Sequence, residues 1–181
     1  GGREFLRALF SRSGLTFYGG FIVATGAAIW VIRRRQVPVL PVADAVGIGG
    51  ALGYAIGRIG CQLAGDGDYG VPTDLPWGMA YPDGVVPTLE IVHPTPVYET
   101  LAGLAICTIL WCGRTRIETP GVLFCIYLLL SGAARFAVEF IRINQKVLWG
   151  LSDAQLISLA MMAVGLAWGY RLLGRARLDP N

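Results

Sequence analysis

Apolar residues in this chain fall in long unbroken blocks instead of short alternating runs. Five of these approach the roughly 20 residues that a helix needs to cross the hydrocarbon core of a bilayer. They are Gly14 to Ile32, Val37 to Gly57, Pro96 to Cys112, Gly121 to Ile141 and Ala154 to Leu173. The pattern predicts an all-α, polytopic integral membrane protein with about five transmembrane helices, one membrane domain over residues 1–181, and a long loop over 58–95. The loop is dense in Gly and Pro, with Val71-Pro72-Thr73-Asp74-Leu75-Pro76-Trp77-Gly78 and Tyr81-Pro82-Asp83-Gly84, and reads as successive turns. Gly47, Gly49, Gly50 and Gly53 would let helices neighbouring the second span pack closely. Ser152-Asp153-Ala154-Gln155 has the spacing of a capping box, so the last helix is expected to begin there.

Composition agrees: 54% of the 181 residues are hydrophobic and 15% charged, too apolar for an ordinary soluble domain. Cys61, Cys107, Cys112 and Cys125 show no paired spacing of a metal site, and no disulfide framework is read from them. The arginines set the orientation. Arg33, Arg34 and Arg35 end the first span, Arg114 and Arg116 follow the third, and Arg171, Arg175 and Arg177 close the fifth, so alternating crossings place all of them on the cytoplasmic side. The 58–95 loop then faces outward, with Trp77, Tyr81 and Trp149 near the outer boundary. Arg3, Arg7 and Arg12, interleaved with Phe5, Leu6, Leu9 and Phe10, suggest a short amphipathic helix on that outer surface. No basic face interleaved with aromatics supports nucleic-acid binding.

Where the second apolar block ends, Gly57-Arg58-Ile59-Gly60-Cys61 runs into Gly65-Asp66-Gly67-Asp68-Tyr69-Gly70. An arginine at the mouth of the membrane, among glycines that let backbone N–H groups approach a ligand, suits an anion such as a lipid phosphate. It also suits a plain turn with a snorkelling arginine. In the fourth block, Arg135, Glu139 and Arg142 lie at i, i+4 and i+7 on one helical face, Arg135 about 10 Å deeper if the helix is regular. A charge at that depth costs roughly 2.5–3.5 kcal/mol or more against lipid, so these residues are either a structural ion pair or a functional site. The alternating topology brings Arg58, the His93, Tyr98 and Glu99 entrance of the third span, and the Arg135 group to one leaflet. Guanidiniums bind phosphodiesters through a planar fork and stay charged in apolar surroundings, so the cluster points to a pocket for an anionic phospholipid. His93, the single histidine, is either a turn residue or a proton carrier. Tyr18, opening the first span, is either an interface anchor or part of the site.

These motifs, taken in order, resemble the bacterial phosphatidylglycerol–prolipoprotein diacylglyceryl transferase family over nearly the whole chain. The matching stretches are Phe17-Tyr18-Gly19-Gly20, Gly57-Arg58-Ile59-Gly60 with its acidic sequel, His93-Pro94 through Tyr98-Glu99, Arg135 to Arg142, and Gln155-Leu156-Ile157-Ser158. The resemblance implies transfer of a diacylglyceryl group from phosphatidylglycerol to the lipobox cysteine of a prolipoprotein, with glycerol phosphate leaving, at the outer face of the inner membrane. It implies no metal or other cofactor. By the same resemblance Arg58 and Arg135 hold the phosphate, Glu139 orients an arginine, and His93 and Tyr18 are both candidates for the base that takes the thiol proton. Gly57, Gly60, Cys61, Asp66, Asp68, Tyr98, Glu99 and Arg142 would complete the substrate pocket.

The chain departs from the family pattern at several of these positions. Tyr18 stands where the family has a histidine, Cys61 where it has an asparagine, Ser131 where it has a tyrosine, and Asp66 or Asp68 where it has a glutamate. These departures leave room for a paralogue that binds phospholipid or lipoprotein without turnover; a small transporter fits less well, since the charges occupy one leaflet and no inverted repeat is seen. Gly1-Gly2-Arg3 matches a point after the family's earlier spans, so the chain is expected to be N-terminally truncated relative to it.

Overall fold

The computed structural model describes the backbone of residues 12–144 and 150–178, and side chains within 23–144 and 150–176. The expected surface helix around Arg3 and Arg7, and Trp149, lie outside the described residues. The elements in order are α1 (Arg12–Arg34), α2 (Val39–Ala64), β1 (Met79–Tyr81), β2 (Thr88–Val92), α3 (Thr95–Gly113), α4 (Val122–Val138) and α5 (Asp153–Leu178). Two compact units are distinguished, residues 1–42 and 43–181.

In the first unit, α1 is an apolar helix of 23 residues ending in Arg33 and Arg34, whose positive charge suits the negative end of the helix dipole. Arg34 also lies over the Trp30 ring at 5.0 Å. The second unit holds everything else that is described below. Among the described residues α2, α3 and α5 are long and apolar enough to cross a membrane, and α4 is a shorter apolar helix of 17 residues. Their outward faces carry Ile56, Leu101, Ile109, Trp111, Ile157 and Leu166, each more than half exposed. A soluble surface does not tolerate apolar area on that scale, whereas lipid does.

Small residues set the packing. Gly103 of α3 rests on Ala51 and Ala55 of α2, where an added Cβ would meet the Ala55 methyl at 3.0 Å. Gly132 and Gly165 do the same between α4 and α5, against Ser158 and Met162 and against the Cys125 carbonyl. This is the close approach by which helices associate in lipid. Ala51, Ile106, Leu110 and Leu123 form the buried core. Of the four glycines expected to serve α2, Gly47 and Gly50 meet Tyr127, while Gly49 and Gly53 face open space.

Three local features differ from the sequence-based expectations. First, α2 does not stop at Gly57 but continues to Ala64, so the loop starts later than residue 58. Ile56, Ile59 and Leu63 keep helical spacing through the glycines, and Gly57 and Gly60 sit on the helix with open space beside them. Their N–H groups belong to the helical ladder and are not free to cradle an anion. Second, the loop includes an antiparallel hairpin, Met79 opposite Val92 and Tyr81 opposite Thr88, in place of turns alone. Third, α4 ends at Val138, short of Ile141. The capping box is present: the Gln155 N–H donates to Ser152 Oγ at 3.3 Å and the Ser152 N–H to Gln155 Oε1 at 3.1 Å.

Both ends of α4 are held by other elements. Its N-cap is Gly121, with φ of 88° and no side chain to offer. Asp44 of α2 supplies the missing cap, accepting the N–H of Gly121 at 2.7 Å and of Phe124 at 2.8 Å. After its C-terminus the chain folds back, and Val71 N–H donates to the Ile141 carbonyl while Gly70 bridges Arg142. Gly70 is crowded here: a Cβ would lie 3.0 Å from both His93 and Thr95.

Candidate functional site

Glu99, one turn into α3 and 2% exposed, is the hub of the site. Its Oε1 accepts the Tyr54 hydroxyl at 2.5 Å and Arg135 at 2.9 Å; its Oε2 faces Arg58 Nε and Arg142, each at 3.3 Å. α2 thus sends two polar groups, and α4 and the segment after it one each, to a single carboxylate of α3. Tyr54 and Arg58 share a face of α2 because they are four residues apart, and the Arg58 guanidinium lies 5.1 Å from the Tyr54 ring centre.

Two further carboxylates close the network. Asp68 bridges Arg58 and Arg142, one oxygen to each. Glu139 lies 3.2 Å from Arg135 and accepts Ser152 Oγ–H at 2.8 Å and the Asn144 amide at 2.5 Å. Three guanidiniums therefore face three carboxylates, which removes the cost of isolated charge but also occupies the arginines. Among the described residues one gap remains: Glu139 Oε2 and Arg142 Nε, both buried and without a hydrogen-bond partner there, face each other at 4.0 Å. Burial would push the Asp68 carboxyl up, but the guanidiniums of Arg142 and Arg58 outweigh it and hold the group below the usual carboxylate range.

Arg135 and Arg142 do not lie on one continuous helix as expected. A regular helix would separate them by about two turns, yet α4 ends between them and both guanidiniums reach the Glu99 carboxylate.

Below the charges lies a cavity of about 150 Å³. Arg135, Glu99 and Tyr54 stand among its lining, with Ser131 and otherwise apolar or aromatic side chains such as Ile106, Tyr127 and Met161. Arg135 is the most exposed of the three arginines, at 26%, against 15% for Arg58 and 7% for Arg142. The arrangement offers a cation at one end of an apolar pocket, which fits a molecule with an anionic head and hydrocarbon chains.

Of the residues singled out from sequence, Arg58, Arg135, Arg142, Asp68, Glu99 and Glu139 come together. His93 and Tyr98 form a neighbouring group: His93 Nδ1 is 3.2 Å from the Tyr98 hydroxyl, which accepts Trp77 Nε1–H at 2.8 Å. The His93 carbonyl accepts the Gly70 N–H, so the histidine also serves as a loop residue. Cys61 lies 3.8 Å from Arg58, and its sulfur shares a 4.8 Å neighbourhood with carboxylate oxygens of Asp66 and Asp68. Asp68 is already spent on two arginines, and Asp66 is exposed and accepts the Asp68 N–H at 3.2 Å, as in an Asx turn. Gly57 and Gly60 are exposed on α2 and do not line this cavity. Tyr18 is on α1, its side chain outside the described residues. Sequence reasoning missed Tyr54, Asn144 and Ser152 as members of the network. Spacing from Arg58 was the available signal for Tyr54; Ser152 was read only as a cap.

A family model described as prolipoprotein diacylglyceryl transferase matches residues 5–170. A phosphatidylglycerol–prolipoprotein diacylglyceryl transferase of Synechococcus elongatus is 36% identical over 172 residues, covering 88% of this chain and 59% of the relative. Relatives of the same name from Pseudomonas putida, 32% identical over 88% of this chain and 62% of their own length, and from Cupriavidus pinatubonensis, 35% identical over 90% and 61%, are similar. The chain thus spans about three fifths of the length of these curated relatives. No solved structure matches it.

Proposed function

Since this chain belongs to the prolipoprotein diacylglyceryl transferase family, we propose that it transfers a diacylglyceryl group from phosphatidylglycerol to the lipobox cysteine thiol of a prolipoprotein. One observation carries this reading: three arginines gathered on the Glu99 carboxylate, with Arg135 exposed into an apolar cavity. The cavity receives the glycerol-proximal part of an acyl chain while the rest stays in the bilayer, and the phosphate lies against Arg135 and Arg58, which stabilise charge on the departing glycerol phosphate. The sulfur forms a bond to the glycerol carbon as that carbon's bond to the phosphate oxygen breaks, and the thiol proton passes to a base. His93 and Tyr18 both remain candidates for that base. Glu139, fixed by Ser152 and Asn144, orients Arg135. The concentration of arginines at the opposite ends of the spans supports a reaction at the outer face of the bacterial inner membrane.

The test is the reaction itself. Purified protein with phosphatidylglycerol and a lipobox peptide should yield a peptide heavier by one diacylglyceryl group, read by mass spectrometry. Lipid bound without any adduct would instead favour the non-catalytic reading, to which the full neutralisation of the arginines lends support.

A further inference from the structure

The three carboxylates of the network are not alike. Glu99 and Glu139 have side chains 2% and 1% exposed and are tied by neutral donors as well as arginines, Tyr54 for the first, Ser152 and Asn144 for the second. The Asp68 side chain is 30% exposed, comes from the loop after α2, and among the described residues its carboxylate pairs only with the guanidiniums of Arg58 and Arg142. Its two oxygens each take a different guanidinium, as the two non-bridging oxygens of a phosphodiester would. Its backbone, by contrast, is fixed: the carbonyl accepts Thr95 Oγ–H and the N–H donates to Asp66. A rotation about its side-chain bonds alone releases both arginines.

Building on the transferase reading, we propose that Asp68 is a built-in stand-in for the lipid phosphate, occupying Arg58 and Arg142 when the site is empty and swinging into water when a phosphodiester takes Arg58, the arginine common to both anions, and leaves Arg142 on Glu99. Such an exchange gives Arg58 and Arg142 a second carboxylate in the free site, where they would otherwise share Glu99 with Arg135. It also makes the site selective: a neutral diacylglycerol has no charge with which to displace the carboxylate. The exchange weakens apparent affinity by the fraction of time the arginines are free, so a site open about a tenth of the time binds about tenfold more weakly than its intrinsic constant.

Dioctanoyl phosphatidylglycerol and dioctanoylglycerol, titrated by calorimetry into the detergent-solubilised protein, test this. Asp68→Asn removes the competing charge and should tighten phosphatidylglycerol binding by on the order of tenfold while leaving dioctanoylglycerol unchanged; Asp68→Glu should restore the weaker binding. Equal or weaker phosphatidylglycerol binding by a folded Asp68→Asn protein makes Asp68 a strut for the arginines and overturns the proposal alone. Failure of both wild type and variant to prefer phosphatidylglycerol over dioctanoylglycerol overturns the headgroup pocket and the stand-in together. A second measurement uses the unaltered protein: labelling of Asp68 by a water-soluble carbodiimide and an amine, read by peptide mass spectrometry, should rise with phosphatidylglycerol and not with dioctanoylglycerol. Labelling that falls or stays level with phosphatidylglycerol would sink the exchange.

Discussion

The two ends of α4 are built on opposite plans. At the N-terminus one carboxylate, Asp44, accepts two backbone N–H groups and faces the positive end of the helix dipole. No arginine joins it among the described contacts, and nothing there is spare. At the C-terminal end, Arg135 enters a set of three guanidiniums and three carboxylates in which Glu99 alone is shared by three cations. A joint with one acceptor and two fixed donors holds position. A network with more donors than any one acceptor can satisfy is able to exchange partners and still remain paired. α4 is therefore anchored at one end and joined to a shared charge network at the other.

The largest effect is expected from breaking the hub. Glu99→Gln leaves three guanidiniums with two carboxylates in a buried setting, and should cost about 3–5 kcal/mol of stability together with transfer activity; thermal unfolding in detergent and the peptide assay read both. Retention of both would show that Asp68 and Glu139 suffice. Next comes the anchor. Asp44→Ala uncaps α4 and should cost about 1–2 kcal/mol, with a fall in activity smaller than that of Glu99→Gln. Similar losses of activity in the two variants would erase the distinction between joint and network.

Ser152→Ala removes both a cap and a donor to Glu139, and should cost roughly 1 kcal/mol. Ser152→Thr, keeping the hydroxyl, should recover most of it. The smallest effect is that of acid. Asp68 is held below its ordinary value of 3.8, so its ion pairs contribute fully above that pH and are lost as pH falls through the lower folded value. Unfolding followed between pH 5 and 2 should show a loss below about pH 4 that is smaller in Asp68→Asn.

The sequence announced what depends on period and local spacing. Long apolar blocks marked the helices, Ser152 and Gln155 marked a cap that exists as written, and the four-residue step from Arg135 to Glu139 marked an ion pair. It misled where composition and periodicity conflict. Glycines around Arg58 read as a turn, although Ile56, Ile59 and Leu63 carry the helix through to Ala64. The hairpin was visible in the alternation Thr88-Leu89-Glu90-Ile91-Val92, beneath a density of prolines and glycines that argued for turns alone. Contacts between distant positions had no local sign at all: nothing near Asp44 says that it caps a helix starting at Val122, and nothing near Glu99 says that three arginines will meet on it.

The brevity of α4 has a mechanical consequence. Seventeen residues rise about 25 Å, less than the roughly 30 Å of hydrocarbon in a typical bilayer. Such a mismatch is relieved by local thinning of the lipid. In the proposed reaction a phospholipid approaching Arg135 would then sink its headgroup toward the site instead of being lifted from the leaflet, with most of its chain length staying in oil.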